Sequence, residues 1–414
     1  MSTDEEALEV HRRYQGVIQV YTKVPIKDEV IYRQLYAPEA VAEVIQKVLA
    51  DPMAAYDYTC KSNLVAIVTD GSAVLGLGNM GPRAALPVME GKAVLFKTFG
   101  GVEAFPICIS TQDTDLVVRL VETISPAFGG INLEDISSPR CFDIERRLTE
   151  ILDIPVFHDD QHGTAVVTLA GLLNALKIVD RKLSEVKIVF NGAGASAIAT
   201  AKILLEAGAQ NIIVCDTKGA VFKGRSAGMN RIKEKLAAIT NPERLQGSLS
   251  EVLKGAEVFI GLSGPGVLDR DMIKSMAPEP VVFAMANPDP EIHPLEAKAG
   301  GAAVVATGRS DFPNQVNNCL AFPGIFRGAL DIRARAINDA MNLAAAHAIA
   351  ELVGQDLDPG HILPNAMDFR VPPAVAEATA RAGLETGTAR IDIDPERVGR
   401  HTREFIYEER LSLL

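Results

Sequence analysis

Two pairs of acids stand where this chain could use them for chemistry. Glu134-Asp135 closes the apolar run of GGINLEDI, and Asp159-Asp160 follows the apolar run that opens VFHDDQHGTA. Hard divalent cations such as Mg²⁺ and Mn²⁺ take oxygen ligands, so carboxylates gathered at two strand ends are candidate ligands for one. Either pair alone reads more plainly as a helix N-cap or a turn; it is the coincidence of two pairs that brings the cation forward. Lys92, in PVMEGKAVLFKTFGG, is flanked by Val88, Met89, Val94, Leu95 and Phe96. Burial there would lower its pKa and leave a proton-accepting amine, whereas a surface lysine would bury only its stem. Tyr36 stands just ahead of a helix start at Pro38, a place where a phenol ordinarily packs or caps.

A second constellation follows about thirty residues on. VKIVFNGAGAS has the form of a strand, a loop of Gly192, Ala193, Gly194, Ala195 and Ser196, and a helix whose early Ala197 fills the third position of a dinucleotide fingerprint. Free N–H groups at that helix start suit a pyrophosphate. The next strand, NIIVC, ends in Asp216, placed to accept the ribose hydroxyls of the adenosine half. Its charge favours NAD by repelling a 2′-phosphate; Lys218, two residues on, would offset that charge and admit NADP. GLGNMG, at Gly76–Gly81, matches the same pattern literally but no acid-ended strand follows at the right interval, so the corner is assigned to close backbone packing or substrate approach. Asn287 and the Asn317-Asn318 pair carry carboxamides at or beyond strand ends, able both to donate and to accept, although asparagine beside proline is commonly a turn former.

The elements needed to hold these groups are those of an α/β protein. Strand, helix and strand alternate through LVAIVT, FPICI, GGINL and VFH, then through VKIVF, NIIVC, EVFIG, PVVFA and AAVVA, a rhythm that implies mostly parallel sheets with ligands beyond the carboxyl ends of the strands. AVLGL, at residues 73–77, reads as a further strand, hairpinned on or adjacent to Leu64–Thr69. At 414 residues, 48% of them hydrophobic, two domains are expected: an N-terminal α/β substrate and metal domain at 1–161, a Rossmann-type doubly wound dinucleotide-binding domain at 162–390, and a helical tail at 391–414. The helices beyond Ile325 are expected to pack back on the first domain or on a partner subunit. A formal net charge of −12 argues against a nucleic-acid partner. Five scattered cysteines without CxxC pairing argue against a disulfide framework or a zinc site. MSTDEEALEV lacks the basic start and apolar segment of a secretory signal, and no apolar run is long enough to span a membrane, so the expected location is cytoplasmic.

YAPEAVAEV, GLGNMG, PVMEGKAVLFKTFGG, INLEDI, VFHDDQHGTA, VFNGAGAS, ANPDP and NNCLAFPG together resemble the malic enzymes, in their short prokaryotic form, from about Tyr32 to about Arg327. The resemblance implies oxidative decarboxylation of L-malate to pyruvate and CO₂, with NAD or NADP and with Mn²⁺ or Mg²⁺, in a homodimer or higher homo-oligomer. It implies that Tyr36 is the proton donor, Lys92 the acceptor of the substrate hydroxyl proton, and Glu134, Asp135 and Asp160 the metal ligands. Asp159 would assist beside the metal, and Asn287 and Asn318 would contact malate. Larger relatives carry an arginine after the Asp-Gly of TDG that helps hold a substrate carboxylate. Ser72 and Ala73 stand there in this chain, and Leu86 stands where short relatives often have lysine, with Arg83 nearby. The nearest alternative function is a malolactic enzyme, which keeps its cofactor and releases lactate; another is a non-catalytic dinucleotide sensor.

Overall fold

The computed structural model describes residues 3–74 and 76–412. Four strands, β1 (Leu64–Thr69), β2 (Glu103–Cys108), β3 (Gly130–Leu133) and β4 (Val156–His158), form one parallel sheet in the order β2-β1-β3-β4. Its register decides the chemistry. Leu133 of β3 pairs with His158 of β4, so Glu134-Asp135 and Asp159-Asp160 leave the sheet side by side.

Six strands form the second sheet: β5 (Lys187–Asn191), β6 (Asn211–Asp216), β7 (Gly219–Ala220), β8 (Val258–Gly261), β9 (Val281–Ala284) and β10 (Val304–Thr307), ordered β10-β9-β8-β5-β6-β7. Only β7 runs antiparallel among the described strands. The chain leaves β5 toward β6 on one side and returns to β8 on the other, so the loop after β5 sits at the switch point where doubly wound sheets bind ligands. The two-domain α/β architecture expected from the alternating pattern is the one observed.

The helix that joins the sheets starts earlier than His162. It runs from Asp159 to Ile178, so both acids occupy its first turn, and residue 161, expected as the domain boundary, lies inside it. Its apolar residues are buried on nearly every side. Val166, Leu169 and Leu172 share one core with Ile67 of the first sheet, Phe190, Ile260 and Phe283 of the second, and Phe322 and Phe326 of the helix Phe322–Asp331. Phe96, on the helix Pro82–Gly100, meets the rings of Phe322 and Phe326 at 4.7 and 5.2 Å, so helical structure from late in the chain packs on the first domain.

One expectation needs correction. Residues 73–77 form no strand among those described: a single bridge joins Val74 to Gly78, and positive φ at Gly76 and Gly78 turns the chain back; Leu75 lies outside the described residues. Gly76 backs onto the second domain instead. A Cβ there would stand 2.5 Å from the Asn287 carbonyl oxygen, so this close approach of two backbones needs glycine. The apolar face of Val41, Val44, Ile45 and Val48 meets no core. The helices Glu29–Tyr36 and Pro38–Ala50, the second starting at its proline as expected, bury no residue. Leu8, Tyr14, Val20, Tyr21, Ile26, Leu35 and Leu49 are exposed on the same N-terminal arm. The five cysteines are free. No described helix is long and apolar enough to cross a membrane.

Candidate active site

Glu134, Asp135 and Asp160 each bring a carboxylate oxygen to within 4.8 Å of the others. Glu134 and Asp135 are buried, while Asp160 keeps part of its surface open. Asp135 adopts φ 53°, in the left-handed region that aspartate tolerates, and its N–H donates to Asp160 Oδ2 at 2.8 Å, tying one acidic pair to the other. Asn132 Nδ2 donates to Glu134 Oε2 at 2.9 Å. Three oxygen donors on rigid strand and helix ends suit a hard divalent cation, with ligand positions left for substrate or water.

Lys92 lies against this cluster. It stands halfway along the helix Pro82–Gly100, buried, with Nζ hydrogen-bonded to Glu134 Oε2 and, at 2.5 Å, to Asp159 Oδ2, and 4.6 Å from the centre of the Phe322 ring. The lowered pKa expected from the apolar flanks is overturned. Burial does push the ammonium toward its neutral form, but Asp159, Glu134 and Asp160 outweigh it and raise the pKa above the ordinary lysine value. Burial also raises the carboxyls of Glu134 and Asp159, against the pull of Lys92. The pocket carries an excess of negative charge and holds its protons tightly.

Asn318 completes the cluster. Its Nδ2 donates to Asp159 Oδ2 at 3.1 Å, and its Oδ1 accepts from Thr164 at 3.2 Å. Asn317 spends its carboxamide capping the short turn Asn318–Leu320. The other oxygen of Asp159 is buried and has no hydrogen-bond partner. It lies over Gly163, one helical turn on, where any Cβ would collide with it. That glycine, and the buried Asn132 behind Glu134, were not singled out by the sequence reading; the i, i+4 spacing of Asp159 and Gly163 on a helix was the available signal.

Asn287 is exposed, with its backbone against Gly76 and its side chain against Gly308. Tyr36 is not drawn into the cluster within one chain. It is 74% exposed at the end of its helix and faces Tyr32 at 6.4 Å. Leu86 and Arg83 are exposed near the start of the lysine helix. Where the larger forms carry arginine, Ser72 accepts a guanidinium from elsewhere: Arg140 donates to Ser72 Oγ at 2.9 Å and to the wholly buried Asp70 at 2.7 Å.

In the second domain Gly194 caps the helix Ala195–Glu206 without a side-chain partner, and the space beside its Cα is open. Ala193, Ala195 and Ser196 line this turn half-buried, Gly192 sits beneath them, and Ala197 is buried against the sheet. Asp216 ends β6 as expected but is not waiting for a ribose. Its Oδ1 accepts the Lys218 N–H at 2.8 Å and Arg225 Nη1 at 2.9 Å; its Oδ2 accepts Arg225 Nη2 at 2.5 Å and Lys233 Nζ at 2.6 Å. Burial alone would raise this carboxyl, yet Arg225 and Lys233 hold it well below the usual range. All four acceptor positions are filled, and with Arg225 and Lys233 against Asp216 the local charge is net positive. Arg225 and Lys233 gave no motif to find in the sequence.

The family model described as malic enzyme, N-terminal domain, matches residues 15–115, and that described as malic enzyme, NAD binding domain, matches residues 161–382. The chain belongs to the malic enzyme family. It is 55% identical to the bifunctional malic/malolactic enzyme of Bacillus subtilis over 98% of this chain and 99% of that one. It is 56% identical to the NAD-dependent malic enzyme of Geobacillus stearothermophilus over 94% and 80%. Further relatives bear the name NADP-dependent malic enzyme. Among solved structures, the malic enzyme of Pyrococcus horikoshii superposes with a TM-score of 0.93 at 47% identity, covering 98% of this chain and 96% of that one. This malic enzyme is therefore an NAD- or NADP-dependent oxidoreductase acting on a CH–OH group, built from the family's N-terminal and nicotinamide-binding domains.

Proposed function

We propose that this malic enzyme converts L-malate and NAD⁺ or NADP⁺ to pyruvate, CO₂ and the reduced cofactor. The observation that carries the reading is Lys92 Nζ, set between Asp159 and Glu134 at the edge of a three-carboxylate cluster. A divalent Mn²⁺ or Mg²⁺ held by Glu134, Asp135 and Asp160 would supply Lewis-acid polarisation of a substrate oxygen, and a nicotinamide would take the hydride. A cation on Glu134, Asp135 and Asp160 would offset the negative charge that holds Lys92 protonated in the cation-free cluster; as the neutral amine Lys92 takes the C2 hydroxyl proton, and Asp159 stabilises the ammonium that results. Asn318 fixes Asp159, and Asn287 offers a carboxamide to the substrate. Tyr36 returns a proton to C3 after CO₂ departs, with Lys92 as its relay.

The exposed N-terminal arm supports a homodimer or higher homo-oligomer, in which its apolar side chains are covered and the Tyr36 of one copy serves the cluster of another. The filled carboxylate of Asp216 supports acceptance of NADP as well as NAD. A cytoplasmic location suits this use of the nicotinamide pool.

The test is near-ultraviolet absorbance of reduced nicotinamide with L-malate and Mn²⁺, run with each cofactor, and with pyruvate and lactate quantified. Pyruvate matching the reduced cofactor supports the reading. Lactate without free reduced cofactor replaces it with malolactic chemistry, a possibility raised by the bifunctional Bacillus subtilis relative.

A further inference from the structure

The acids of the first helical turn are aimed from outside the cluster. Glu145, on the helix Arg140–Ile151, lies beneath the start of the helix that carries Asp159 and Asp160. Its Oε1 accepts the backbone N–H of His158 at 3.0 Å and meets His162 Nε2 at 2.8 Å; its Oε2 accepts from Gln161 Nε2 at 3.1 Å. One carboxylate thus grips the residue before the acidic pair and the two residues after it, but touches neither acid. Glu145 and Gln161 are largely shielded from water, and the His162 ring is further steadied by Phe157 at 5.4 Å. Buried hydrogen bonds to a charged acceptor are stronger than neutral ones, so this grip fixes the turn.

We propose that Glu145 is a positioning residue for the divalent-cation site, setting the direction in which Asp160 presents its carboxylate to Glu134 and Asp135. The proposal rests on the reading of those three carboxylates as cation ligands. This turn carries Asp160 to Asp135, whose N–H donates to Asp160 Oδ2 at 2.8 Å. Releasing the turn lets Asp160 drift from the shared point. Groups that orient ligands from behind change metal affinity by roughly 10- to 100-fold when removed.

The test is binding of Mn²⁺ itself, followed by the electron paramagnetic resonance of the free ion, on the full chain without substrate or cofactor. Glu145→Ala is expected to weaken Mn²⁺ binding by about 10-fold or more. In turnover it should raise the Mn²⁺ concentration needed for half-activation while keeping most of kcat at saturating Mn²⁺. Glu145→Gln keeps an oxygen acceptor for the His158 N–H and should recover most of the affinity. Glu150→Ala, at an exposed position on the same helix that pairs with Arg146, should bind as wild type does. If Glu145→Ala does not fold, Glu145→Asp shortens the reach by one methylene and gives the same readout. Wild-type Mn²⁺ affinity in the folded Ala or Asp variant overturns the proposal, because a purely structural pin would lower the melting temperature alone. Failure of the wild-type chain to bind Mn²⁺ overturns the cation reading beneath it instead.

Discussion

Arg225 closes over Asp216, one guanidinium nitrogen on each carboxylate oxygen at 2.9 and 2.5 Å. With Lys233 added, the acid at the end of β6 organises two cations. Lys233→Ala should raise the KM for NADP about tenfold and leave that for NAD nearly unchanged, since a charged contact to a phosphate contributes about 1.5–3 kcal/mol. Initial rates with each cofactor measure this. An equal effect on both would show that the cluster does not meet the 2′ position.

The same cluster predicts a pH dependence. Asp216 titrates below its unfolded value, so its stabilising contribution is fully present above the unfolded pKa and is lost as pH falls through the folded one. Asp216→Asn leaves two shielded cations without their counterion and should cost about 3 kcal/mol at neutral pH. In urea unfolding, the gap between wild type and variant should stay constant from about pH 7 to 5 and narrow only below about pH 4. A gap that narrowed already near neutrality would implicate another group.

Lys92→Ala removes the proton acceptor and leaves Asp159 and Glu134 facing each other without their shared cation. Turnover should fall by about 10²–10⁴-fold, the range for a positioned acid–base group, while cofactor binding measured by fluorescence persists. Loss of cofactor binding as well would mean a collapsed site.

Gly163→Ala is a sharper probe, because alanine is the better helix former by about 1 kcal/mol. The helix should remain, by circular dichroism, and turnover should drop by about 10²-fold as the new methyl displaces Asp159 from Lys92 and Asn318. Retained activity would show that Asp159 can shift without consequence.

Mixing two inactive proteins tests the origin of the phenol. If Tyr36 crosses to a second copy, Tyr36→Phe and Lys92→Ala chains exchanged together should regain about a quarter of wild-type turnover, the statistical share of intact sites in random dimers. No recovery after verified exchange would place Tyr36 in its own chain's site or out of the reaction.

The sequence reading reached furthest where one local signal sufficed. The doubly wound sheet follows from short β-branched runs between glycine-rich turns, and the apolar runs ending at Leu133 and His158 place four acids at two strand ends, which the register then sets side by side. It failed where neighbours from distant segments decide. Lys92 shows apolar flanks in sequence, but the groups that set its proton affinity arrive 42 and 67 residues later, and they reverse the sign. Asp216 looks free because Arg225, in an irregular loop, and Lys233, on the helix Arg231–Ile239, reach it from 9 and 17 residues further along the chain. Ala73–Leu77 looks like a strand because an apolar run does not reveal that its glycines turn the chain back. Glu145 is one acid on an amphipathic helix, indistinguishable by spacing from its solvated neighbours.

The helix Asp159–Ile178 has a consequence for dissection of the molecule. It opens with two of the four clustered acids and ends deep among residues of the nicotinamide-binding sheet. Divided at residue 161, the N-terminal fragment would lose the helix that shares its core, and Asp159 and Asp160 would be severed from the helix that aims them. The two domains share a spine, so a cut through it should destabilise both.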